Sequence, residues 1–421
     1  MTPTRMRTLF AAAFLAMAAT PALATNGMNM IGYNVRASGM GGADVAIATD
    51  CSGTACNPAT LGVQHKRSLA FGLSALMPQV STAYDALGVD VENEDQVFPL
   101  PYVAYAQQLS EDSPWTIGID LFAQGGMGVD VHSFPTPNGN GSYDSLVRYE
   151  RLTGAASYRV NEKLSLGLGA MIGYADIEFS LFPEFPGGIR VEDLYSFGYA
   201  GRAGLHYQIS ERVSLGAQYT SAAGLDLDGG TLTANYGPAG NVTFDAEMED
   251  FTWPQEAEVG IAFQATPNLL IAADIKWIGW SEAIDLVKVR ASGGPPGMPA
   301  PVTPGSDAIL FDMNWDDQWV YALGIEYVLN QNHTFRLGYN YGKTPVPDAN
   351  LSPLFPAIVE HHATIGYRLT LNNWAIDLAY EHGFDNRQEN SNPDPQVNPF
   401  GPGVSISHSQ NTLHGAIIYF F

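Results

Sequence analysis

From Ser68 to the carboxyl end the chain repeats one pattern: a segment of alternating apolar and small or polar residues, then a connection that is by turns very short and long. The short connections are Ser110-Glu-Asp-Ser113, Asn161-Glu162, Ser210-Glu211, Thr266-Pro267-Asn268, Asn330-Gln-Asn-His333 and Asn372-Asn373. The long ones, rich in Gly, Pro and Asp, include 125–144, 224–250, 285–314 and 384–407. Strands then fall near 68–84, 98–109, 114–124, 145–160, 163–179, 194–209 and 212–223, and near 250–265, 268–284, 315–329, 333–343, 358–371, 374–384 and 408–421. There are fourteen, and six short turns alternate with seven long loops without a break. A soluble β-protein has no reason to sort its connections so strictly. A barrel in an outer membrane does, with short turns at one rim and long loops at the other, and an even strand count brings both ends to the same rim. The sequence therefore predicts an all-β membrane protein, a 14-stranded antiparallel transmembrane β-barrel.

Side-chain phase agrees, because neighbours along a strand point to opposite faces. In one segment Leu269, Ile271, Ala273, Ile275 and Trp277 share a face, with Asp274 and Lys276 on the other. Trp374, Ile376, Leu378 and Tyr380 alternate with Asp377 and Glu381, and Phe335, Leu337, Tyr339 and Tyr341 with Arg336 and Asn340. A basic residue facing lipid at mid-depth costs about 2–4 kcal/mol, so the charged set is expected to face the lumen. The last strand runs from Leu413 through Tyr419 to Phe421, an aromatic terminus similar to the sorting element read by the barrel-assembly machinery.

Residues 1–24 pass from basic (Arg5, Arg7) through apolar (Leu9 to Ala19) to small (Pro21 to Ala24), the order of a secretory signal peptide cut after Ala24. That apolar run is too short for a membrane anchor, and no later segment is apolar enough for a spanning helix. Charged residues make up only 15%, with 44 glycines and 20 tyrosines, a profile that suits spanning by strands. A net charge of −24 argues against nucleic acid as a partner. Acids cluster without a base from Asp85 to Asp95, and again around Asp307 to Asp317. Such runs are ordinarily solvated loops. Their functional reading is cation-bridged contact with the phosphates of surface lipid and lipopolysaccharide.

Residues 25–64 do not alternate. Ser38-Gly-Met-Gly-Gly-Ala-Asp44 and the residues to Asp50 predict a turn leading into a short helix. Forty such residues cannot build a core alone, but the lumen of a wide barrel would supply walls and hydrogen-bond partners. The chain thus divides into a leader (1–24), a plug (25–64) and a barrel (65–421).

The segment SGMGGADVAIATDCSGTACNPATLG, with Asn57-Pro58-Ala59 at its centre, resembles the amino-terminal hatch of the FadL/TodX family of outer-membrane transporters of fatty acids and hydrocarbons. Phe98-Pro-Leu-Pro-Tyr102 and Thr344-Pro-Val-Pro-Asp348 extend the resemblance, which spans essentially the whole chain. It implies passive uptake of hydrophobic compounds through an apolar pocket, with hatch movement and lateral exit through a kinked third strand. Long-chain fatty acids are the first expected cargo and aromatic or aliphatic hydrocarbons the alternative. Gate residues on the hatch would be Gly41, Gly42, Asn57, Pro58 and Ala59. The third strand ends in Gly125-Gly126-Met127-Gly128, where glycine permits a bulge or bend. An interrupted wall is expected from Asp120 through Gly125, Gly126 and Gly128, with Asn57 to Ala59 nearby.

Cys51 and Cys56 are the only cysteines, and an even count in an exported chain predicts a disulfide between them. Arg151, Arg202, Lys276, Arg336 and Arg368 are lumen-phase candidates for contact with a substrate carboxylate, each also suited to a wall or hatch salt bridge. The histidines lack metal-ligand spacing, and neither a metal nor a cofactor is expected. A lipolytic enzyme would need a serine or paired acids with histidine at one rim, and a general porin an open polar constriction. The expected protein is a monomer that is neither.

Overall fold

The computed structural model describes residues 26–48, 50–63, 67–94, 96–394 and 397–421. The expected leader, Thr25, Gln64 and Asp95 lie outside the described residues. From the amino-terminal rim, β1 (Ser68–Tyr84) is followed by the short β2 (Val89–Glu92), β3 (Phe98–Gln108), β4 (Trp115–Thr136) and β5 (Gly139–Arg159). Next come β6 (Leu164–Leu181), β7 (Ile189–Ser210), β8 (Val213–Thr220), β9 (Ala223–Asn235) and β10 (Asn241–Trp253). The chain continues through β11 (Glu256–Thr266), β12 (Leu269–Ile278), β13 (Leu286–Ser292), β14 (Ile309–Asp312) and β15 (Gln318–Val328). It ends with β16 (His333–Gly342), β17 (His361–Leu371), β18 (Trp374–Asn390) and β19 (Val404–Phe420).

Fourteen of these make the wall, each antiparallel to the next: β1, β3 to β8, β11, β12 and β15 to β19. The cylinder closes where β1 pairs with β19, from Ser68 opposite Phe420 to Tyr84 opposite Val404. All fourteen predicted spans are present. The long connections are more ordered than the sequence suggests: 125–144 is not a loop but the continuation of β4 and β5, still paired at Thr136 and Gly139. Links 224–250 and 285–314 contribute β9, β10, β13 and β14, which pair into a sheet beyond the wall. Regular pairing satisfies backbone groups that an irregular loop would leave to solvent.

Burial follows the predicted phase. Ile275, Phe335, Leu337, Trp374, Leu378, Leu413 and Ile417 face outward and exposed, while Asp274, Lys276, Arg336, Asn340, Asp377 and Glu381 are buried in the lumen. With lipid as the outer solvent, exposed apolar side chains are the stable arrangement.

The amino-terminal segment packs against these lumen side chains. Its α-helix, α1 (Val35–Gly39), lies before the glycine run and not after it as the sequence reading has it. Asn34 explains the start: its side chain accepts from Ala37 N (2.9 Å), capping the first turn. Met40 to Gly42 then turn against the wall, with Gly41 at φ +67° and so close to β16 that a Cβ would lie 2.6 Å from Tyr339 N. Asn340 Nδ2 donates to Gly41 O (2.9 Å) at the same place. Two 3-10 turns follow, Cys51–Thr54 and Pro58–Val63.

The expected disulfide is absent: Cys51 and Cys56 are separate, buried thiols. The intervening 3-10 turn directs them to different partners. Cys51 sits beside Ser68 of β1, whereas Cys56 Sγ accepts from Asn34 Nδ2 at 3.1 Å. Burial pushes both thiols well above the ordinary cysteine range, which makes them poor nucleophiles. Alkylation without reductant should therefore label two thiols per chain after unfolding and react slowly on the native protein. Absence of label after unfolding would restore the disulfide.

Candidate functional site

The wall is interrupted between β3 and β4. Their pairing runs from Gln108 opposite Thr116 to Tyr102 opposite Phe122 and stops there. The part of β3 that β4 has left holds Pro99 and Pro101, whose nitrogens carry no hydrogen to donate, as edge segments tolerate. On the other side, β4 remains paired with β5 but shifts register between Ala123 and Gly125, so Gln124 is a bulged residue.

The freed edge of β4 is taken up by the amino-terminal segment. Met30 N donates to Gln124 O (3.2 Å), Gly126 N donates to Met28 O (3.0 Å), and Asn29 forms a β-bridge with Gly125. The bulge turns the Gln124 side chain inward, where Nε2 donates to Asn29 Oδ1 (3.0 Å) and Glu256 Oε1 (3.1 Å). Glu256 also accepts from Asn29 Nδ2 (3.0 Å) and Tyr33 OH (2.8 Å), and Trp253 Nε1 donates to Asn29 Oδ1 (3.0 Å). Asn29 is thus held by β4, β10 and β11 together. Of the predicted opening, Gly125 and Gly126 lie in the interruption and Gly128 just beyond it. Asp120 does not belong to it, since it still pairs opposite Ala104.

Asn57, Pro58 and Ala59 lie elsewhere. Asn57 Nδ2 donates to Leu205 O (3.0 Å) and Val45 O (2.8 Å), and Ser157 Oγ donates to Ala59 O (3.1 Å). The triplet rests on β5 to β7, over Gly167 and Gly204, where a Cβ would collide with it. It anchors the segment, and the expectation that it adjoins the opening is corrected.

The five candidate cations are already engaged. Arg151 donates to Gln124 Oε1 (2.7 Å) and Ala55 O (2.8 Å), and Arg202 reaches Ala55 O and Cys56 O. Lys276 lies 3.7 Å from Glu258. Arg336 bridges Glu326 (2.7 Å) and Asp377 (3.0 Å), and Arg368 joins Asp377 to Asp50 (3.2 Å). Arg36, on α1, adds a paired contact to Glu326 (2.9 and 2.8 Å). In a lumen this rich in acids, each guanidinium or ammonium finds a carboxylate or a carbonyl of the chain itself.

Beside the interruption lies an apolar chamber. Met28 closes it from the amino-terminal segment, Met127 from β4, and Met248, Phe251, Met313 and Trp315 from the outer strands and connections. Every lining residue is apolar, and none of the five candidate cations is among them. Four of the lining residues are methionines, whose unbranched chains adapt to differing shapes. A second, open groove at the long-loop rim is edged by Phe134, Phe182, Phe185 and Phe400. Phe400 packs edge-on against Phe134 (ring centroids 5.8 Å apart), which keeps large aromatic faces at the mouth.

Sequence reading missed Asn29, Gln124, Trp253, Glu256, Trp280 and Trp315. Only Gln124 carried a local signal, immediately before Gly125-Gly126; the others meet through pairing distant in sequence. Asp44, Glu258 and Asp274 bring carboxylate oxygens within 4.8 Å of one another, although Lys276 and the Asp44 and Val45 amides already serve them. Ser74, His414 and Glu381 form a hydrogen-bonded row (2.8 and 3.3 Å), again from remote strands.

A closed fourteen-stranded barrel with lipid-facing apolar girth and an interior segment set against a broken wall defines an outer-membrane transport barrel. Residues 13–413 match the family model described as Outer membrane protein transport protein (OMPP1/FadL/TodX), and the chain belongs to that family. It is 22% identical over 396 residues to the long-chain fatty acid transport protein of Escherichia coli O6:H1, covering 82% of this chain and 85% of the relative. Among solved structures, the Pseudomonas putida toluene transporter TodX is similar with a TM-score of 0.76 at 22% identity, covering 94% of this chain and all of that one. The Ralstonia pickettii toluene transporter TbuX is similar at 0.71 and 22% identity, covering 93% and 98%. The protein is an outer-membrane transport protein.

Proposed function

We propose that the protein is a passive channel for neutral hydrophobic molecules, with residues 25–64 as its hatch and the β3–β4 interruption as a lateral exit into the membrane. One observation carries this reading. Met28 lines the chamber with its side chain while its carbonyl takes the Gly126 amide that seals the wall. Cargo entering the chamber must displace Met28, and displacing Met28 strains the seal. Sideways exit keeps an oily molecule out of water throughout, so apolar burial needs no energy source. The groove of Phe134, Phe182 and Phe400 is a suitable first landing surface for such cargo.

Relatives bear the names of fatty-acid and of toluene transporters. The chamber favours the neutral class, because a buried carboxylate needs a paired charge and none lines the space. An enzyme is a poorer account: Ser74, His414 and Glu381 are all buried, and none lines the chamber or the groove. The exposed aromatic end at Phe421 fits recognition by barrel-assembly machinery, and the acidic loops fit cation-bridged contact with lipopolysaccharide around a monomer. Competition between toluene, decane and oleate for detergent-purified protein tests the reading. Toluene or decane should displace bound cargo more effectively than oleate. Binding of oleate alone would assign the chamber to acids, and binding of none would remove the transport proposal.

A further inference from the structure

Three carboxyl groups meet between the amino-terminal segment and the wall. Asp44, Glu258 of β11 and Asp274 of β12 bring one oxygen each within 4.8 Å of one another. Among the described residues Lys276 is the one cation in ion-pair reach of them, 3.7 Å from Glu258. The group therefore carries two more negative charges than positive ones. Glu258 and Asp274 are each 3% exposed, and charges so buried are held by a paired charge or by a metal. Two oxygens at this place have no partner. Asp274 Oδ2 accepts from the Asp44 and Val45 amides (2.6 and 2.9 Å), but Oδ1 accepts from nothing. It lies over Gly260 of β11, where a Cβ would collide with it. Gln218 of β8 stands opposite Glu258 in the ladder and donates through Nε2 to Glu258 Oε2 (2.6 Å), which leaves its own buried Oε1 unmet. Native interiors rarely leave such oxygens without a partner.

We infer that Asp44, Glu258 and Asp274 bind a calcium ion, with the Gln218 amide oxygen available as a neutral ligand, and that the ion fastens the amino-terminal segment to β11 and β12. Calcium takes carboxylate and amide oxygens at about 2.3–2.6 Å, so oxygens up to 4.8 Å apart can face one another across it. Magnesium, which holds its ligands at about 2.0–2.1 Å in near-octahedral order, fits that spread less well. One divalent charge also cancels the excess that Lys276 leaves. Asp44 is the part-exposed member of the three, and the ion enters beside it. Asp44 and Asp274 are 230 residues apart, so no spacing in the sequence announces the site. The site concerns how the segment is held and stands whatever the barrel carries.

The test strips detergent-purified full-length protein with a chelator and returns calcium or magnesium to it. Titration calorimetry should show a calcium site that magnesium fills less tightly, and E258Q and D274N, checked for a folded barrel on gels, should lose it. A second readout is local. Asn34 Nδ2 donates to both Asp44 Oδ2 (3.3 Å) and Cys56 Sγ (3.1 Å), so alkylation of Cys56, read by peptide mapping, reports on this place and not on the acidic loops. With calcium at about ten times its dissociation constant, labelling of native Cys56 should slow about tenfold. In D274N the labelling rate should no longer respond to the ion. Labelling that ignores calcium in the unaltered protein overturns the inference, as does calcium binding that survives both substitutions, which would belong to the loops. The labelling of unaltered protein needs no variant, so it decides even where a substitution prevents folding.

Discussion

An R151M/R202M double variant should insert as a folded barrel yet admit small hydrophilic solutes that the parent protein excludes. Both guanidiniums converge on the carbonyl of Ala55, at the end of the first 3-10 turn, and Arg202 also reaches Cys56 O (3.1 Å). Such turns leave carbonyls without internal partners, and here the wall supplies them. Charge-assisted bonds of this kind contribute about 1.5–3 kcal/mol each, and their loss strands buried acceptors. Methionine keeps much of the side-chain volume, so the barrel, which rests on the strand ladders, should be unaffected. Entry of a hydrophilic antibiotic into cells, compared with heat-modifiability on gels, separates the two effects. A folded variant that remains tight would show that the hatch is held by its other anchors, Arg36 on Glu326 and Asn57 on Leu205.

The barrel was legible because lipid imposes a rule on every second residue. Asp274 and Lys276, or Asp377 and Glu381, have only one face they can occupy, and the alternation of turn and loop lengths repeats that constraint along the chain. Loop structure was not legible for the converse reason. Residues 125–144 lack the lipid-facing alternation yet extend β4 and β5, since pairing outside the bilayer is set by partner strands and not by solvent.

The site was legible in one part only. Gly125 and Gly126 announced a weak point in the wall, and the wall breaks there. What seals it could not be read: Asn29 meets Gln124, Trp253 and Glu256 across sequence separations of 95, 224 and 227 residues. The five lumen cations were found by phase alone, and phase does not say whether a charge is free. Chain carboxylates and carbonyls occupy all five. The cysteine pair shows the same limit, because an even count in an oxidising space says nothing about which way two thiols point across a tight turn.

A reversible cross-link between the hatch and the broken wall tests the central claim most directly. Asn29 and Gly125 are antiparallel bridge partners, a spacing that a disulfide can span, and the native thiols are buried away from them. In an N29C/G125C variant reconstituted in liposomes, oxidation should lower uptake of a hydrophobic probe such as toluene at least tenfold, and reduction should restore it, each sample serving as its own control. Uptake that continues unchanged with the cross-link formed would contradict the account, because cargo would then be crossing without moving residues 28–30 from the gap.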